Sequence, residues 1–577
     1  MIRFLARLVA VLAALAASAF AAELPLVPGE PAATPKAAPA ARLRLVAKAT
    51  GPRLQLAPVA EAELESVREA NRRAPGKRLA IGVDRALAGP ALAPEWSAVE
   101  GGHAARLAIA SPDAAAMRLA IDLLGVPADV ELVFFGSGEP GRLLGPVRVG
   151  DIRDRTLAWW SPATEGAEQT VEVFAPAGVD PALAAVRIAR VSHLFASPAS
   201  GFAKRTADIG DSGSCNVDIK CIVSPSQAFL NVRNSVAKML FTDGGFTSLC
   251  TGTMLNDANP TNQVPWFYGA NHCFENESPP YKTAAQMQTV ASTLNTYWFF
   301  EAVSCGSLAA PPFTQFTGGA TFLYNSQPRD VLFLRLNEGP PAGSYLAGWD
   351  PNPMQAGSNV IGIHHPQGDL KKVSQGTMQR FSTAFTGSTA NGFIEVLWQS
   401  GTTEGGSSGS GVFTYDGADY LFRGGLWGGT ALCTNPQGTD NYSRFDQVYQ
   451  TLAGYLGGNT PTLDYTDLWW NAAESGWGLN LTQHASGQIF GVWYTYAAGG
   501  RPQWIVMPGG TWTNSTTFTG TLYLTSGPPF TTGFIASQVK VNTVGSATLT
   551  FFDANNGSFA YTVNGVSGVK AITRQPF

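Results

Sequence analysis

The sequence predicts an all-β protein made of several β-rich domains. Strand-like runs such as ELVFFG, DVLFLRL and FGVWYTY recur along the chain, and turns rich in Gly, Pro and Asn separate them. Little helical periodicity accompanies these runs. At 577 residues the chain is too long for one hydrophobic core, so we expect about three or four folding units.

The first residues have the composition of a secretory signal peptide. Arg3 and Arg7 precede an apolar run over residues 8–20, and small residues that fit an A-x-A cleavage site follow near Ala22. A membrane anchor is the alternative, but it needs about 20 apolar residues. No later stretch of the sequence is long enough to span a bilayer. We therefore predict removal of residues 1–22 and secretion through the periplasm, with no membrane span afterwards.

The segment that follows divides into a lead-in and a β-rich part. Residues 23–60 are rich in Ala and Pro, which predicts an extended or disordered lead-in. Residues 60–200 contain short alternating runs such as RTLAWWS and QTVEVFAP. These runs predict a small β-sandwich.

The six cysteines all lie in one central segment, which favours disulfides. An even number in an exported chain predicts three bridges, and fifteen pairings are possible from the sequence alone. Each bridge could add roughly 3 kcal/mol in the loop-entropy model. Zinc is the alternative, but the sequence has no C-x-x-C pair and no H-x-x-x-H. We expect no metal and no other cofactor.

The central and last segments both predict β-structure. From Cys215 to about Gly457, runs such as NVIGIHH and GVFTY are separated by turns, a pattern typical of a barrel or sandwich. A Gly- and Thr-rich linker is predicted over residues 458–463, and a small β-meander domain over residues 464–577. Its Trp and Tyr residues could bind sugars or hydrophobic surfaces, although aromatics in a small barrel more often form the core.

The charge balance argues against nucleic acid as a partner. Charged residues make up only 14% of the chain, and the formal net charge is −4. Such a chain has no basic field suited to a phosphate backbone.

The central segment carries the residues of a serine nucleophile and its base. A serine hydroxyl needs a histidine within hydrogen-bond reach to attack a carbonyl at neutral pH. His272 precedes Cys273 directly, so a disulfide there would fix the backbone beside the imidazole. Asp330 opens an apolar strand, and Ser408 lies in the turn TEGGSSGSGVF. The order His, Asp, Ser is that of chymotrypsin-type proteases and differs from the orders in subtilisins and α/β-hydrolases.

Two further histidines lie in this segment. His364 and His365 are adjacent on a predicted strand and would point to opposite faces. We interpret them as structural rather than as metal ligands.

The central segment resembles the bacterial lysyl endopeptidases, secreted chymotrypsin-like serine proteases. The matching stretches occur in one order along the chain: GDSGSCNVDIKC (210–221), LCTGTMLN (249–256), NHC (271–273), AGWD (347–350), IHHP (363–366), GSSGS (406–410) and DNYSR (440–444). The resemblance implies a chymotrypsin-like double β-barrel protease domain over residues 210–457.

The resemblance also implies roles for single residues. His272 would be the general base, Asp330 would orient it, and Ser408 would be the nucleophile. The backbone N–H groups of Gly406 and Ser408 would form the oxyanion hole. The family's cysteine pattern implies the disulfides Cys215–Cys433, Cys221–Cys305 and Cys250–Cys273.

The specificity pocket is where the sequence departs from trypsin. Trypsin places its aspartate six residues before the nucleophile, a position held here by Thr402. In the family the acid falls on Asp440, whose carboxylate would pair with a lysine ammonium and whose slot would exclude the planar guanidinium of arginine. The alternative is that Asp440 is a solvated turn residue. Trp427 stands where the family carries His, and Gly428 can offer backbone bonds to an extended peptide.

The resemblance places the mature N-terminus at Gly210. Residues 23–209 would then be a propeptide that assists folding and covers the cleft as an inhibitor. Ser407 precedes the nucleophile and carries no charge, so the amine-triggered activation of trypsin is excluded. Ile209 is not the lysine that self-cleavage requires, and a first cut after Lys204 followed by trimming is our hypothesis.

These observations predict a secreted, monomeric serine endopeptidase that cuts polypeptides after lysine through a Ser-His-Asp triad. One alternative is the same mechanism with another preference at the cleaved residue. The other is a non-catalytic exported binding protein.

Overall fold

The computed structural model describes residues 24–576 except 25, 34–39, 47–50, 74–76, 88–92, 200–211, 260–262, 277, 340, 458–460, 462, 485–486 and 530–532. The predicted signal peptide lies outside the described residues, as do Lys204, Ile209 and Gly210. Strands dominate the described part, and the all-β prediction is confirmed.

The N-terminal region, residues 24–199, contains two sheets that pack face to face. Its strands are β1 (Glu30–Pro31), β2 (Arg53–Gln55), β3 (Leu79–Ala86), β4 (Ser97–Val99), β5 (Gly102–Ala110), β6 (Ala116–Asp122), β7 (Glu131–Gly136), β8 (Leu144–Arg148), β9 (Trp159–Trp160), β10 (Thr164–Glu165), β11 (Glu168–Pro176) and β12 (Arg187–Leu194). One sheet has the order β2-β5-β11-β7-β8, and β6 and β12 belong to the other. Leu107, Phe134 and Val171 of the first sheet meet Met117 and Val191 of the second in a shared core.

A helix that the sequence analysis did not predict precedes β3. Helix α1 (Glu61–Arg73) has the charged sequence EAELESVREANRR, and only Val67 is fully buried. Ion pairs three or four residues apart, such as Arg72–Glu69 and Arg73–Glu69, support its exposed face. Its narrow apolar stripe explains why hydrophobic periodicity gave no signal.

Strand β3 connects the N-terminal region to the central region, residues 212–457. It pairs antiparallel with β12 on one side and with β15 (Phe246–Leu255) on the other. One sheet therefore runs continuously from the N-terminal region into the central region.

The central region begins with a first barrel around a mostly apolar core. Its strands are β14 (Val236–Asp243), β15, β16 (Trp266–Gly269), β17 (Asn295–Trp298), β18 (Thr314–Phe316), β19 (Ala320–Ser326) and β20 (Val331–Leu336), paired in the order β18-β17-β14-β15-β16-β20-β19. Met239, Phe267, Trp298 and Leu332 fill the interior. Helices α2 (Gln227–Arg233), α3 (Asn271–Phe274) and α4 (Ala284–Ser292) accompany these strands.

A second barrel closes on itself. Its strands are β22 (Asn359–His364), β23 (Lys372–Ser382), β24 (Phe393–Ser400), β25 (Gly411–Tyr415), β26 (Tyr420–Gly429) and β27 (Thr439–Ser443), and short strands β13 (Val217–Asp218) and β21 (Tyr345–Leu346) lie outside the ring. The order is β23-β22-β25-β26-β27-β24, and pairing of β24 with β23 completes the ring. The predicted double-barrel fold is thereby confirmed.

A large apolar cluster joins the two barrels. Tyr268 and Phe333 of the first barrel share this cluster with Ile363 and Phe422 of the second. Helix α5 (Phe445–Leu456) follows the last strand and adds apolar side chains, including Phe445, to the same cluster. The relative position of the barrels is thus set by close packing rather than by a flexible connection.

Three disulfides brace the central region. They join Cys215 to Cys433, Cys221 to Cys305 and Cys250 to Cys273, the pairs that the resemblance implies. The Cys215–Cys433 bridge has the largest sequence separation of the three, 218 residues, and ties the start of the region to the segment between β26 and β27.

The C-terminal region, residues 463–576, is an antiparallel meander that closes into a barrel. Its strands are β28 (Asp467–Trp470), β29 (Gly478–Gln483), β30 (Ile489–Tyr496), β31 (Pro502–Met507), β32 (Thr511–Asn514), β33 (Thr517–Ser526), β34 (Lys540–Phe551), β35 (Asn556–Val563) and β36 (Val566–Arg574). Pairings of β28 with β36 and of β31 with β33 complete the ring. Trp469 and Trp512 lie in its core, whereas Tyr494, Tyr496 and Trp504 are exposed.

Within the described residues, every helix is too short or too polar to cross a membrane.

Candidate active site

Three side chains from distant parts of the chain meet where the two barrels face each other. His272 lies on α3 and Asp330 in the turn before β20, both in the first barrel. Ser408 lies in the turn between β24 and β25 of the second barrel. The imidazole Nε2 is 2.7 Å from Ser408 Oγ, and Nδ1 is 2.8 Å from Asp330 Oδ2. All three side chains are buried.

Asp330 fixes both the position and the tautomer of the imidazole. Its Oδ1 accepts a hydrogen bond from the backbone N–H of His272 at 2.9 Å. Its Oδ2 accepts a hydrogen bond from Nδ1–H, which leaves Nε2 free to accept a hydrogen bond from the Ser408 hydroxyl. Asp330 has φ +52°, a left-handed conformation that costs about 1 kcal/mol or more for a residue with a side chain. This strained turn orients the Asp330 carboxylate towards the imidazole of His272.

The backbone beside His272 is anchored covalently. Cys273 follows it on α3 and is bonded to Cys250 on β15. The disulfide therefore ties the short helix to the barrel wall, which limits movement of the imidazole.

The turn that carries Ser408 requires glycine. Gly406 has φ +88°, and a Cβ there would lie 2.9 Å from the carbonyl oxygen of His365. Thr251 on β15 holds the turn from the other side: its N–H donates to Ser408 O at 2.8 Å and its hydroxyl to Gly406 O at 2.9 Å. The nucleophile turn of one barrel is thus fastened to a strand of the other.

The N–H of Gly406 points at a carbonyl oxygen. It donates to the backbone oxygen of Lys77 at 2.5 Å. Ser408, the second predicted oxyanion donor, lies two residues further along the same turn. The hydroxyl of Ser408 also accepts the backbone N–H of Lys77 at 2.9 Å. A peptide backbone therefore already lies against the Ser408 hydroxyl.

Asp440 lies at the base of a closed pocket. It is fully buried on β27, and its Oδ2 accepts hydrogen bonds from Trp398 Nε1 at 2.7 Å and from the Thr403 hydroxyl at 2.6 Å. Its Oδ1 accepts from the ammonium of Lys77 at 2.7 Å. Asp440 is not a solvated turn residue.

The other acceptors of the pocket match an ammonium group. The Lys77 Nζ donates to the carbonyl oxygens of Thr403 and Ala431, each at 2.8 Å. The Thr403 hydroxyl oxygen, at 2.5 Å, and Asp440 also accept, so the three N–H bonds of the ammonium face four acceptors. Burial lowers the pKa of Lys77 below its ordinary value, and attraction to Asp440 opposes that effect.

The sequence analysis did not single out Lys77. It lies far from every matched motif, and it reaches the pocket only because β3 pairs with β15. It directly precedes the run LAIGVDRA of β3, and that position gives no distinctive signal because many lysines share it.

Trp427 and Gly428 lie on β26, next to the strand that carries Asp440. Gly428 is opposite Asn441, and Gly429 is opposite Asp440. Trp427 lies where the register between β26 and β27 shifts. Its half-buried ring lies against that of Phe385, with 5.2 Å between the ring centroids.

Buried His364 holds the residue before the nucleophile. Ser374 donates its hydroxyl proton to Thr402 O at 2.7 Å, so it must accept from His364 Nε2 at 3.0 Å. His364 Nδ1 then accepts the hydroxyl proton of Ser407 at 2.9 Å. Burial lowers the pKa of His364 to about 3, so this network is neutral.

His365 has a different partner. Its Nδ1 donates to the carbonyl oxygen of Asp369 at 3.0 Å, and burial lowers its pKa well below the ordinary value. Among the residues that the structure describes, no group of three or more His, Cys, Asp or Glu side chains could hold a metal ion.

The arrangement is suited to acyl transfer. An attacking Ser408 hydroxyl would pass its proton to His272, and Asp330 would stabilise the imidazolium. The Gly406 N–H would stabilise negative charge on the attacked carbonyl oxygen.

Comparisons with known proteins identify the family of this chain. A family model described as lysyl endopeptidase, C-terminal domain, matches residues 209–443, and one described as lysyl endopeptidase N-terminal domain matches residues 55–195. The lysyl endopeptidase of Pseudomonas aeruginosa (strain PAO1) is 37% identical over 405 residues, which cover 66% of this chain and 82% of the relative.

Two solved structures were also found in the comparison. The inactive mutant form of Rv3671c from M. tuberculosis H37Rv has 14% identity and a TM-score of 0.25, over 42% of this chain and 98% of that one. The active form of the Rv3671c protease from M. tuberculosis has 16% identity and a TM-score of 0.26, over 41% of this chain and 89% of that one.

Gly406→Ala should lower kcat/KM of the processed enzyme on a peptide substrate by about 100-fold or more, because the new Cβ would displace the N–H that faces the carbonyl oxygen. Gly405→Ala is the matched control, since a Cβ there meets no atom closer than 3.5 Å. Equal loss in both variants would show that the turn is merely intolerant of alanine.

His364 should make the protein sensitive to acid. Its pKa is about 3 in the folded state and near 6.5 when unfolded, so only the unfolded state binds a proton between these values. The stability from neutral His364 is complete above pH 6.5 and is lost as the pH falls towards 3.

In a Ser408→Ala background, His364→Gln should reduce the difference in unfolding free energy between pH 7 and pH 4 by about 3 kcal/mol, as measured by urea unfolding. The exposed His103 provides the control variant His103→Gln. An unchanged pH dependence in His364→Gln would contradict the assignment.

Proposed function

Because the chain belongs to the lysyl endopeptidase family and is a serine endopeptidase, we propose that it cuts polypeptides on the carboxyl side of lysine through Ser408, His272 and Asp330. The observation that carries this proposal is the lysine side chain bound to Asp440 while its own carbonyl oxygen meets the Gly406 N–H. Pocket and nucleophile engage the same residue at once.

The proposed reaction follows the usual two stages. Ser408 Oγ attacks the carbonyl carbon of the lysine, and His272 Nε2 takes the hydroxyl proton and then gives it to the leaving amine. Water enters, His272 takes a proton from it, and the acyl-enzyme is hydrolysed. The N–H groups of Gly406 and Ser408 stabilise the oxyanion, and each such donor typically contributes about 3 kcal/mol.

Selection of lysine rests on charge and on reach. An ammonium bound directly to Asp440, Thr403 O and Ala431 O leaves no acceptor of this set unused. Arginine has a longer, planar head that would need its acceptors in one plane and more depth than the floor at Asp440 leaves. A neutral side chain on the residue before the cleaved bond would leave the buried carboxylate of Asp440 without a cation.

The domain boundaries belong to the same proposal. Residues 23–209 form a propeptide that acts as inhibitor or folding aid, 210–457 the protease domain, 458–463 a linker and 464–577 an accessory domain. The family matches at 55–195 and 209–443 support the first division.

Secretion and a monomeric state complete the proposal. Three disulfides support an oxidising destination outside the cytoplasm. The triad and the pocket are complete within one chain, so the proposed monomer needs no residue from a second copy to act on polypeptides.

Digestion of a denatured protein tests the specificity. The processed enzyme should cut after lysine alone, as read by mass spectrometry of the peptides, and Ser408→Ala should give no cuts. Frequent cuts after Arg, Glu or aromatic residues would reject Asp440 as the selector.

Asp440→Asn removes the charge and keeps the shape of the side chain. We expect kcat/KM on a lysine substrate to fall by roughly 30- to 5,000-fold, because truncating a buried charge pair costs about 2–5 kcal/mol. Asp446→Asn, in the first turn of α5, removes a mostly buried carboxylate that pairs with Arg444 outside the pocket; it is the matched control and should stay within about threefold of the parent.

A further inference from the structure

The segment that begins at Lys77 crosses the active site as a substrate would. The side chain of Lys77 fills the Asp440 pocket and its carbonyl oxygen meets Gly406. Two residues later the chain enters β3, where Leu79 lies opposite Leu249 and Ala80 opposite Ser248. These partners directly precede Cys250, whose disulfide braces the helix of His272.

The peptide bond between Lys77 and Arg78 therefore lies at the reacting groups. Ser408 Oγ contacts the backbone on one side of this bond through the Lys77 N–H. On the other side the Arg78 guanidinium donates to the carbonyl oxygen of His272 at 3.3 Å. The residue that would carry the leaving amine is thus next to the proposed proton donor.

We propose that the Lys77–Arg78 bond is a self-cleavage site, an inference that rests on the proposed function. The two ends produced by the cut stay bound and continue to block the active site. Ser408 Oγ bonds to the carbonyl carbon of Lys77 while its proton moves to His272, and the C–N bond breaks as His272 protonates the amine of Arg78. Water then releases the Lys77 carboxylate and regenerates the Ser408 hydroxyl.

The downstream end is held by β3. This strand pairs with β15 and β12 on its two sides. Its buried residues Ile81 and Val83 pack in one cluster with Leu240 and Leu249 of the central region. The new amine at Arg78 therefore stays beside the acyl-enzyme, where it can reform the bond or obstruct water.

The upstream end is tied to the same strand by Asn71. Its amide donates to Ala80 O at 2.9 Å, and its carbonyl oxygen accepts from the Ala80 N–H at 2.7 Å. Asn71 lies before the bond and Ala80 after it, so these two hydrogen bonds bridge the cut. This bridge favours retention of both ends in register.

The test uses the full chain. The purified precursor is incubated at two concentrations tenfold apart, stopped in acid, denatured and analysed by intact mass and N-terminal sequencing. We expect a fragment starting at position 78, formed at the same fractional rate at both concentrations. Ser408→Ala and Lys77→Gln should lack it, whereas Arg78→Ala and Lys204→Ala should retain it.

Several outcomes would overturn the inference. One is a wild-type chain that never yields a fragment starting at position 78. Another is an equal yield of that fragment from Lys77→Gln. The third is a fractional rate of cleavage that rises with protein concentration. If Lys77→Gln fails to fold, Arg78→Pro decides, because it keeps Lys77 and should abolish the fragment.

Retention of the ends has its own measurement. Asn71→Ala should speed the appearance of activity on a lysine reporter peptide after the cut by roughly tenfold, since it removes two hydrogen bonds. Arg72→Ala, on the exposed side of α1, is the matched control. Equal rates in both variants would refute retention by Asn71.

The processed enzyme separates this inference from the proposed function. If it fails to cut reporter peptides after lysine, the proposed specificity is wrong. If it cuts them while the precursor yields no end at position 78, only the self-cleavage site is wrong.

Discussion

The packing between the two barrels is the constraint on which the site depends, because the hydrogen bond between Ser408 Oγ and His272 Nε2 spans them. Each barrel fixes its own partner: Asp330 and the Cys250–Cys273 disulfide hold the imidazole, and the turn at Gly406 holds the hydroxyl. A small rotation between barrels would lengthen this bond. The aromatic packing of Tyr268 on Phe422, at 4.9 Å between centroids, and the ties from Thr251 prevent that rotation.

The pocket shows how a buried carboxylate is kept ready for a cation. Taking Asp440 and an ammonium out of water is costly unless every remaining lone pair and proton finds a partner. Trp398 and Thr403 donate to one carboxylate oxygen and leave the other for the ligand. Because these donors belong to the second barrel itself, the carboxylate keeps its orientation when the lysine leaves.

Much of the fold and of the site was predictable because local sequence patterns indicate it. Alternating strands, the cysteine count and the order of His272, Asp330 and Ser408 are all visible along the sequence. What escaped prediction has two causes, a weak local pattern and long-range pairing. The charged helix α1 has almost no apolar stripe, and Lys77 meets Asp440 across 363 residues of sequence through the pairing of β3 with β15. No local pattern encodes that register.

The uncharged contact between Ser407 and His364 has a consequence for when the protease works. Both partners lie inside the second barrel, so the nucleophile turn is assembled as soon as that barrel folds and needs no freshly exposed terminus to complete it. An enzyme whose Ser408 turn is complete on folding cannot be held inactive by delaying the assembly of that turn. Under the proposed function, restraint of the enzyme before export would therefore depend on how tightly the segment at Lys77 occupies the site.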